Sequence, residues 1–267
     1  MRAFDYHRPA TLKAAASLLR KNENARALSG GQSLIPALRL RLAAPSALVD
    51  LGAIAELRGI KLDGAVLIVG AMARHSDVAA SRDVNVGIPA LARLADGIGD
   101  RQVRNVGTLG GALANNDPAA DYPAAVLGLG ATINTNKRAI PADKFFLGLY
   151  ETALKPGEII TSVAFPLPKR AAYTKFPNPA SRFALVGVFV SEGAGSVRVA
   201  VTGAGSCVFR AKEMEKKLAS NFAPDALAKV RITPDGLNSD LHASAEYRAH
   251  LITVMAKRAV AAALAGK

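Results

Sequence analysis

The chain has 267 residues, 50% of them hydrophobic, which is enough to bury a substantial core and suits two modest domains better than one. Its single cysteine, Cys207, excludes an internal disulfide and cannot by itself hold a zinc ion or an iron–sulfur cluster, so any such centre must belong to another chain. Lys and Arg number 34 against 21 Asp and Glu, a net charge of +13; the basic residues are scattered, and pairs such as Lys169-Arg170 and Lys216-Lys217 lack interleaved aromatics for base stacking, which favours solvated faces or an edge that meets an acidic partner over nucleic acid.

In chain order, the N-terminal stretch MRAFDYHRPATLKAAASLL lacks a long apolar run before a small-residue cleavage site. No segment approaches the roughly eighteen uninterrupted apolar residues of a membrane span, so a cytoplasmic product is predicted. Leu12, Ala15, Ala16 and Leu19 recur at helical spacing over Pro9–Arg20, with Thr11 placed as the cap. ARALSGG reads as a strand running into a glycine turn, SALVDL as a second strand and GAVLIVGA as a buried third. HSDVAAS is suited to cap a helix, and IPALARLADGIG is apolar at helical spacing until its glycines end it. This is an α+β order.

Two glycine-rich stretches interrupt it. In SGGQSLIPALRL, Ser29–Leu40, a glycine pair next to small polar residues is compatible with a phosphate, with a tight ligand-free turn, or with another segment packed closely. In RNVGTLGGALANNDPAADYPAAVLGLG, Gly107, Gly110 and Gly111 precede Asn115, Asn116, Asp117 and Asp121, then a helical run starting near Pro123. Together the two would fit loops closing on the two phosphates of a dinucleotide. Neither follows G-x-G-x-x-G with a later acidic residue, and neither carries a Walker Lys-Ser/Thr, so Rossmann and P-loop readings are poor.

A domain boundary is expected within Phe165–Arg182, where four prolines interrupt the pattern. Beyond it, FALVGVFVS and SVRVAVTGAG predict a hairpin around the turn EGAG, with AKEMEKKLAS, PDALAKV and a final helix packed against it. Leu251, Met255 and Ala259 form an apolar stripe suited to a core or a subunit interface. His7, His75, His242 and His250 show no ligand spacing and read as surface or capping residues; no metal site is expected.

These residues resemble the FAD-binding medium subunits of molybdenum hydroxylases, of the aerobic carbon monoxide dehydrogenase and xanthine dehydrogenase type. FDYHRPATLKAAASLL is similar to that family's opening, SGGQSLIP to its first flavin loop and TLGGALANNDPAADYPA to its second. LKPGEIITSVAFPLP and NSDLHASAEYRAHLITVMAKRAV resemble its later segments. The resemblance implies a two-part FAD-binding domain of the PCMH (vanillyl-alcohol oxidase-like) type over residues 1–170, with subdomains of about 1–60 and 61–170. A smaller α+β C-terminal domain with an antiparallel sheet and helices would follow over 171–267.

It further implies FAD as cofactor. Arg26, Ala27, Leu28, Ser29, Gly30, Gly31, Gln32, Ser33 and Leu34 would wrap the pyrophosphate through amides and the Ser33 hydroxyl. Gly107, Thr108, Gly110, Gly111 and Ala112 would do likewise from the second loop. Asn115, Ala120 and Asp121 would follow the ribityl and pyrophosphate region, Ile159 and Ile160 would meet the flavin or adenine, and Lys175 would approach the isoalloxazine edge. The residues alone also allow Asp121 to serve as an N-cap and Lys175 as a surface lysine. Two departures stand out: Phe183 replaces the family's frequent Tyr, and Ser29 its usual Ala.

The implied partners are an iron–sulfur small subunit and a molybdopterin large subunit in a dimer of heterotrimers, with membrane-surface association only through the complex. Electrons would pass from the clusters through FAD to a quinone, NAD or oxygen, with no catalytic residue needed in this chain. The rival readings are a flavin-free basic nucleotide- or nucleic-acid-binding protein and a flavin-free scaffold; intact glycine pairs count against the second.

Overall fold

The computed structural model describes residues 1–193 and 195–266. Three short strands, β1 (Asp5–His7), β2 (Ala25–Leu28) and β3 (Ala47–Asp50), form a parallel sheet in the order β1-β3-β2. Helix α1 (Leu12–Lys21) covers it, started by the Thr11 hydroxyl, which accepts from the Ala14 N–H at 3.3 Å. Only small side chains fit between helix and sheet, so Ala15 and Ala16 meet Ala25, Ala47 and Val49 in one buried cluster. Helix α2 (Leu34–Arg39) follows the first glycine loop.

A second sheet is antiparallel, in the order β4-β5-β10-β6-β7, from β4 (Ile60–Asp63), β5 (Val66–Gly70), β6 (Thr132–Thr135), β7 (Ala139–Pro141) and β10 (Ile160–Pro166). A small hairpin, β8 (Phe146–Gly148) and β9 (Glu151–Thr152), projects from it. Between β5 and β6 run α3 (His75–Ala80), α4 (Arg82–Gly87), α5 (Pro89–Asp96), α6 (Arg101–Arg104), α7 (Leu109–Asn115) and α8 (Tyr122–Gly128). Their apolar faces share one core with β5, β10 and β6, including Leu91, Leu109, Tyr122, Phe145 and Phe165.

The third sheet is antiparallel in the order β11-β12-β13-β14, from β11 (Arg170–Pro177), β12 (Ala184–Gly193), β13 (Ser196–Thr202) and β14 (Phe209–Arg210). The hairpin predicted from the sequence is β12–β13; its EGAG turn contains Ala194, which lies outside the described residues. Val186, Val188, Val190, Val199 and Val201 face α9 (Lys212–Ser220) and α10 (Ala245–Leu264), whereas Phe189 and Ala200 point the other way into the larger core. Burial on both faces explains why these strands read as continuous apolar runs instead of alternating ones. Leu251, Met255 and Ala259 belong to this core.

The stretch read as a proline-broken connector is mostly strand. Pro166 and Pro177 close β10 and β11, places where a missing N–H costs no ladder bond, and only residues 167–169 pass between the two sheets. The sheets are also stapled together: the Ser191 hydroxyl donates to the Gly128 carbonyl at 2.6 Å, and the Arg198 guanidinium pairs with Asp143 at 2.7 Å. A side chain on Gly128 would collide with Phe189, so α8 lies directly on β12.

Candidate functional site

The two glycine loops meet, and they differ. Leaving β2, the chain turns through Ser29–Ser33, with Gly31 at φ +71°, a conformation that favours glycine. Among the described residues, the N–H groups of Gly31, Gln32 and Ser33 donate to no acceptor in the chain. Successive unpaired amides of this kind make an anion-binding concavity. Gly30 has another reason to lack a side chain: a Cβ there would fall 2.7 Å from the Gly107 Cα, on the second loop. Of the three occupants open to the bare SGG backbone, a closely packed segment is therefore realised at Gly30, and an anion cradle fits at Gly31–Ser33.

The second loop keeps its amides busy. Leu109 and Gly110 donate to the carbonyls of Ala73 and Ala71 at 3.0 and 2.8 Å, and Gly111 donates to the Thr108 hydroxyl at 3.1 Å. Gly110 and Gly111 stand in the first turn of α7, a helix of its own that the sequence reading did not separate from the one near Pro123. Gly110 permits contact with Ala71, whose Cβ would be 2.6 Å from an added one. This loop thus contributes shape and the Thr108 hydroxyl, which lies 2.6 Å from the Ser29 hydroxyl.

Between the loops opens a cleft of about 520 Å³, within the range of cofactor sites. Arg26, Ala27, Ser29, Gly30, Gly31, Gln32, Ser33 and Leu34 line one side, and Gly107, Thr108, Gly110, Gly111, Ala112, Asn115, Ala120 and Asp121 the other. Ile159 and Ile160 close the end where β10 begins. Two expected residues are not part of the lining. Leu28 sits behind Gly31, and Lys175 stands on β11.

Lys175 is no surface lysine. Its ammonium reaches Asp121 at 3.0 Å and the carbonyls of Gly97 and Arg182 at 2.9 and 3.0 Å. Asp121, buried in the cleft wall, also accepts from the Tyr173 hydroxyl at 2.6 Å and makes no side-chain cap for α8. Burial pushes its carboxyl upward against the pull of Lys175 and Tyr173. At the far end, burial would likewise raise Glu158, but Arg138, the Lys155 N–H and Thr135 overcome it and hold the carboxyl at about 2. That carboxylate pins the turn delivering Ile159.

Several lining residues escaped the sequence reading. His75, read as a surface or capping residue, is 5% exposed and opens α3 under the second loop, its backbone N–H donating to the Gly107 carbonyl at 2.9 Å. Burial, helped by Arg104, pushes its imidazole down to about 4, so it is neutral at pH 7. Tyr122, Met72, Tyr150 and Glu158 also line the cleft, and Phe183 stands at its lip, 47% exposed. The available signal for His75 was its place just beyond the end of a buried strand.

The family model described as "FAD binding domain in molybdopterin dehydrogenase" matches residues 2–168. The chain belongs to the FAD-binding medium subunits of molybdenum hydroxylases. It is 33% identical to the carbon monoxide dehydrogenase medium chain of Hydrogenophaga pseudoflava, over 98% of this chain and 97% of that one. It is equally 33% identical to the nicotine 6-hydroxylase medium subunit of Paenarthrobacter nicotinovorans, over 97% and 96%. Among solved structures, the reconstituted CO dehydrogenase from Oligotropha carboxidovorans superposes with a TM-score of 0.91 at 34% identity, covering 100% of this chain and 99% of that one.

This medium subunit is thus an oxidoreductase subunit of the α+β FAD-binding type, with FAD as its cofactor. The residues present fit that group. Unpaired amides at Gly31–Ser33 suit a pyrophosphate, and a Cβ on Gly111 would project toward Thr108 and Ser29, into the junction of the loops.

Proposed function

We propose that this medium subunit carries electrons between an iron–sulfur small subunit and an external acceptor, a quinone, NAD or oxygen, while a molybdopterin large subunit oxidises the substrate. FAD supplies reversible electron uptake when bound, and the protein supplies position and electrostatics. The first-loop amides and the Ser33 hydroxyl hold the pyrophosphate. Thr108 and Asn115 contact the cofactor from the second loop and α7, and Asp121 orients the polar chain between phosphate and flavin. Lys175 acts through Asp121, keeping that carboxylate fixed. Ile159, Ile160 and Phe183 exclude water from the apolar part.

The observation that carries this reading is the clasp of the two loops over a cleft, with unpaired amides at Gly31–Ser33. Among the described residues no group of three His, Cys, Asp or Glu side chains is placed for metal binding. The relatives act on carbon monoxide and nicotine by name, yet match over nearly their whole length. A shared medium subunit with varied substrates supports a reading in which the large subunit chooses the substrate. The net charge of +13 exceeds what a pyrophosphate requires and suits docking on acidic partners, in a dimer of heterotrimers in the cytoplasm. No helix of the described residues is long and apolar enough to cross a membrane.

The test is anaerobic flavin bleaching. The isolated FAD-loaded chain should be reduced by dithionite but by no molybdenum-hydroxylase substrate, and adding the iron–sulfur and molybdopterin subunits should make substrate reduce it. Bleaching by substrate without partners would point instead to a self-contained flavin oxidoreductase.

A further inference from the structure

The helices between β5 and β6 enclose a second concavity, of about 520 Å³, that shares no lining residue with the FAD cleft. Helix α6 divides the two: Val103 lines the cleft, whereas Arg101, Arg104 and the following Asn105 line the second pocket. Ser76 and Ala79 of α3, and Ala92, Arg93 and Asp96 of α5, form opposite walls from residues three and four apart that share a helix face. The alanines make the room.

Three guanidiniums stand here against one carboxylate, and they are not equivalent. Arg104 is held by the fold, its Nη1 donating to the Ile98 and Gly99 carbonyls at 3.0 and 3.1 Å and its Nε lying 3.6 Å from Asp96. Among the described residues, the Arg93 and Arg101 side chains form no hydrogen bond and no ion pair. Nearby carboxylates are engaged elsewhere: Asp77, Asp83 and Asp100 accept from the backbone N–H groups of Arg74, Leu62 and Val103, and none of them lines the pocket. Burial lowers the proton affinity of Arg93 with no acid opposing it. Partly desolvating a charge without a counter-charge costs stability, and a bound anion offsets that cost.

We propose that this pocket binds the phosphate group of a phosphorylated small molecule, gripped by the Arg93 and Arg101 guanidiniums while Arg104 adds charge from the wall. Guanidinium forks match phosphate oxygens bidentately, and two forks with every donor free suit a dianion. The one carboxylate, Asp96, has a side chain 73% exposed and keeps to solvent. A walled concavity takes a small molecule where a flat basic face would take an acidic protein surface. Space beside the alanines accommodates an organic part, so a phosphate monoester fits better than phosphate alone.

The experiment titrates the full chain, saturated with FAD so that the cleft is filled, with AMP, adenosine and inorganic phosphate at fixed ionic strength, followed by calorimetry. AMP should bind at one site per chain, inorganic phosphate should compete more weakly, and adenosine should not bind. Arg93→Gln and Arg101→Gln should each weaken AMP binding about tenfold. Both variants should melt no lower than wild type at low salt, because neither side chain is bonded in the fold. No AMP binding by wild type, AMP affinity unchanged in both variants, or adenosine binding as well as AMP would overturn the inference. Lost binding with a lower melting temperature in both variants would also overturn it, by assigning the arginines to the fold. Inorganic phosphate binding as tightly as AMP would contradict the organic part of the ligand. Repeating the titration on the complex with the iron–sulfur and molybdopterin subunits separates a small molecule from a partner's carboxylates. Equal AMP binding there supports the site, whereas AMP bound only by the isolated chain would give the arginines to a partner subunit and overturn the proposal.

Discussion

The Ser29 and Thr108 hydroxyls lie 2.6 Å apart and join the two loops directly, with Ser29 also reaching the Met72 sulfur at 2.9 Å. The clasp depends on the Ser29 hydroxyl. It presets the separation of the loops before any cofactor arrives. Ser29→Ala should leave a folded protein, cost about 1 kcal/mol of stability and weaken FAD binding several-fold, as read by chemical denaturation and by titration of the FAD-free chain. An unchanged affinity would show that the loops are held by packing alone.

The glycines separate by mechanism. Gly30→Ala drives a methyl into Val106 and Gly107 and should force the loops apart, lowering the melting temperature and FAD affinity together. Gly111→Asp is the cleaner probe, because Gly111 lies in a helix and faces Thr108 and Ser29 at 2.9 and 3.4 Å. A negative charge at the loop junction should abolish FAD retention in a protein that still folds by circular dichroism. Full FAD content in purified Gly111→Asp would remove the second loop from the site.

Stability against acid should carry the mark of His75. Its imidazole titrates at 6.5 when unfolded and at about 4 when folded. Between those values the unfolded chain binds the extra proton, so stability rises with pH through the window, is complete above 6.5 and is lost as pH falls toward 4. The largest contribution is about 3 kcal/mol. His75→Gln should flatten this limb between pH 6.5 and 4 in denaturant melts of the FAD-free chain. Glu158, held at about 2, acts in a separate window, losing its contribution as pH falls from 4.5 toward 2. An acid limb unaltered by His75→Gln would mean that the ring titrates alike in the folded and unfolded chain.

The Asp121–Lys175 pair should behave as a buried ion pair, with side-chain exposures of 4% and 14%. Lys175→Met leaves a carboxylate without its counter-charge and should destabilise by about 3–5 kcal/mol, whereas Asp121→Asn with Lys175→Met should recover much of that loss. Equal destabilisation in the single and double variants would contradict a coupled pair.

Much of the local structure was legible in the sequence because its causes are local. Thr11 ahead of an apolar 3.6-residue period, the glycine pair closing β2, and the apolar runs of β12 and β13 each carry their own signal. Both glycine loops that line the cleft were legible from glycines beside Ser29 and Thr108. What stayed hidden depends on which segments meet in space. Prolines at 166, 168, 177 and 179 suggested a connector, though two of them merely end strands. His75 resembled any polar residue at a helix start until β5 and the second loop enclosed it. The reason for Gly30 lies at Gly107, far along the chain, and the role of Lys175 lies in three partners on separate elements.

The most direct measurement of the central claim is titration of the FAD-free full chain with FAD, followed by flavin fluorescence and the visible spectrum. Saturation at one FAD per chain, with a perturbed flavin band and little dependence on added oligonucleotide, is the predicted result. No saturable FAD uptake, alongside salt-sensitive oligonucleotide binding, would contradict the account.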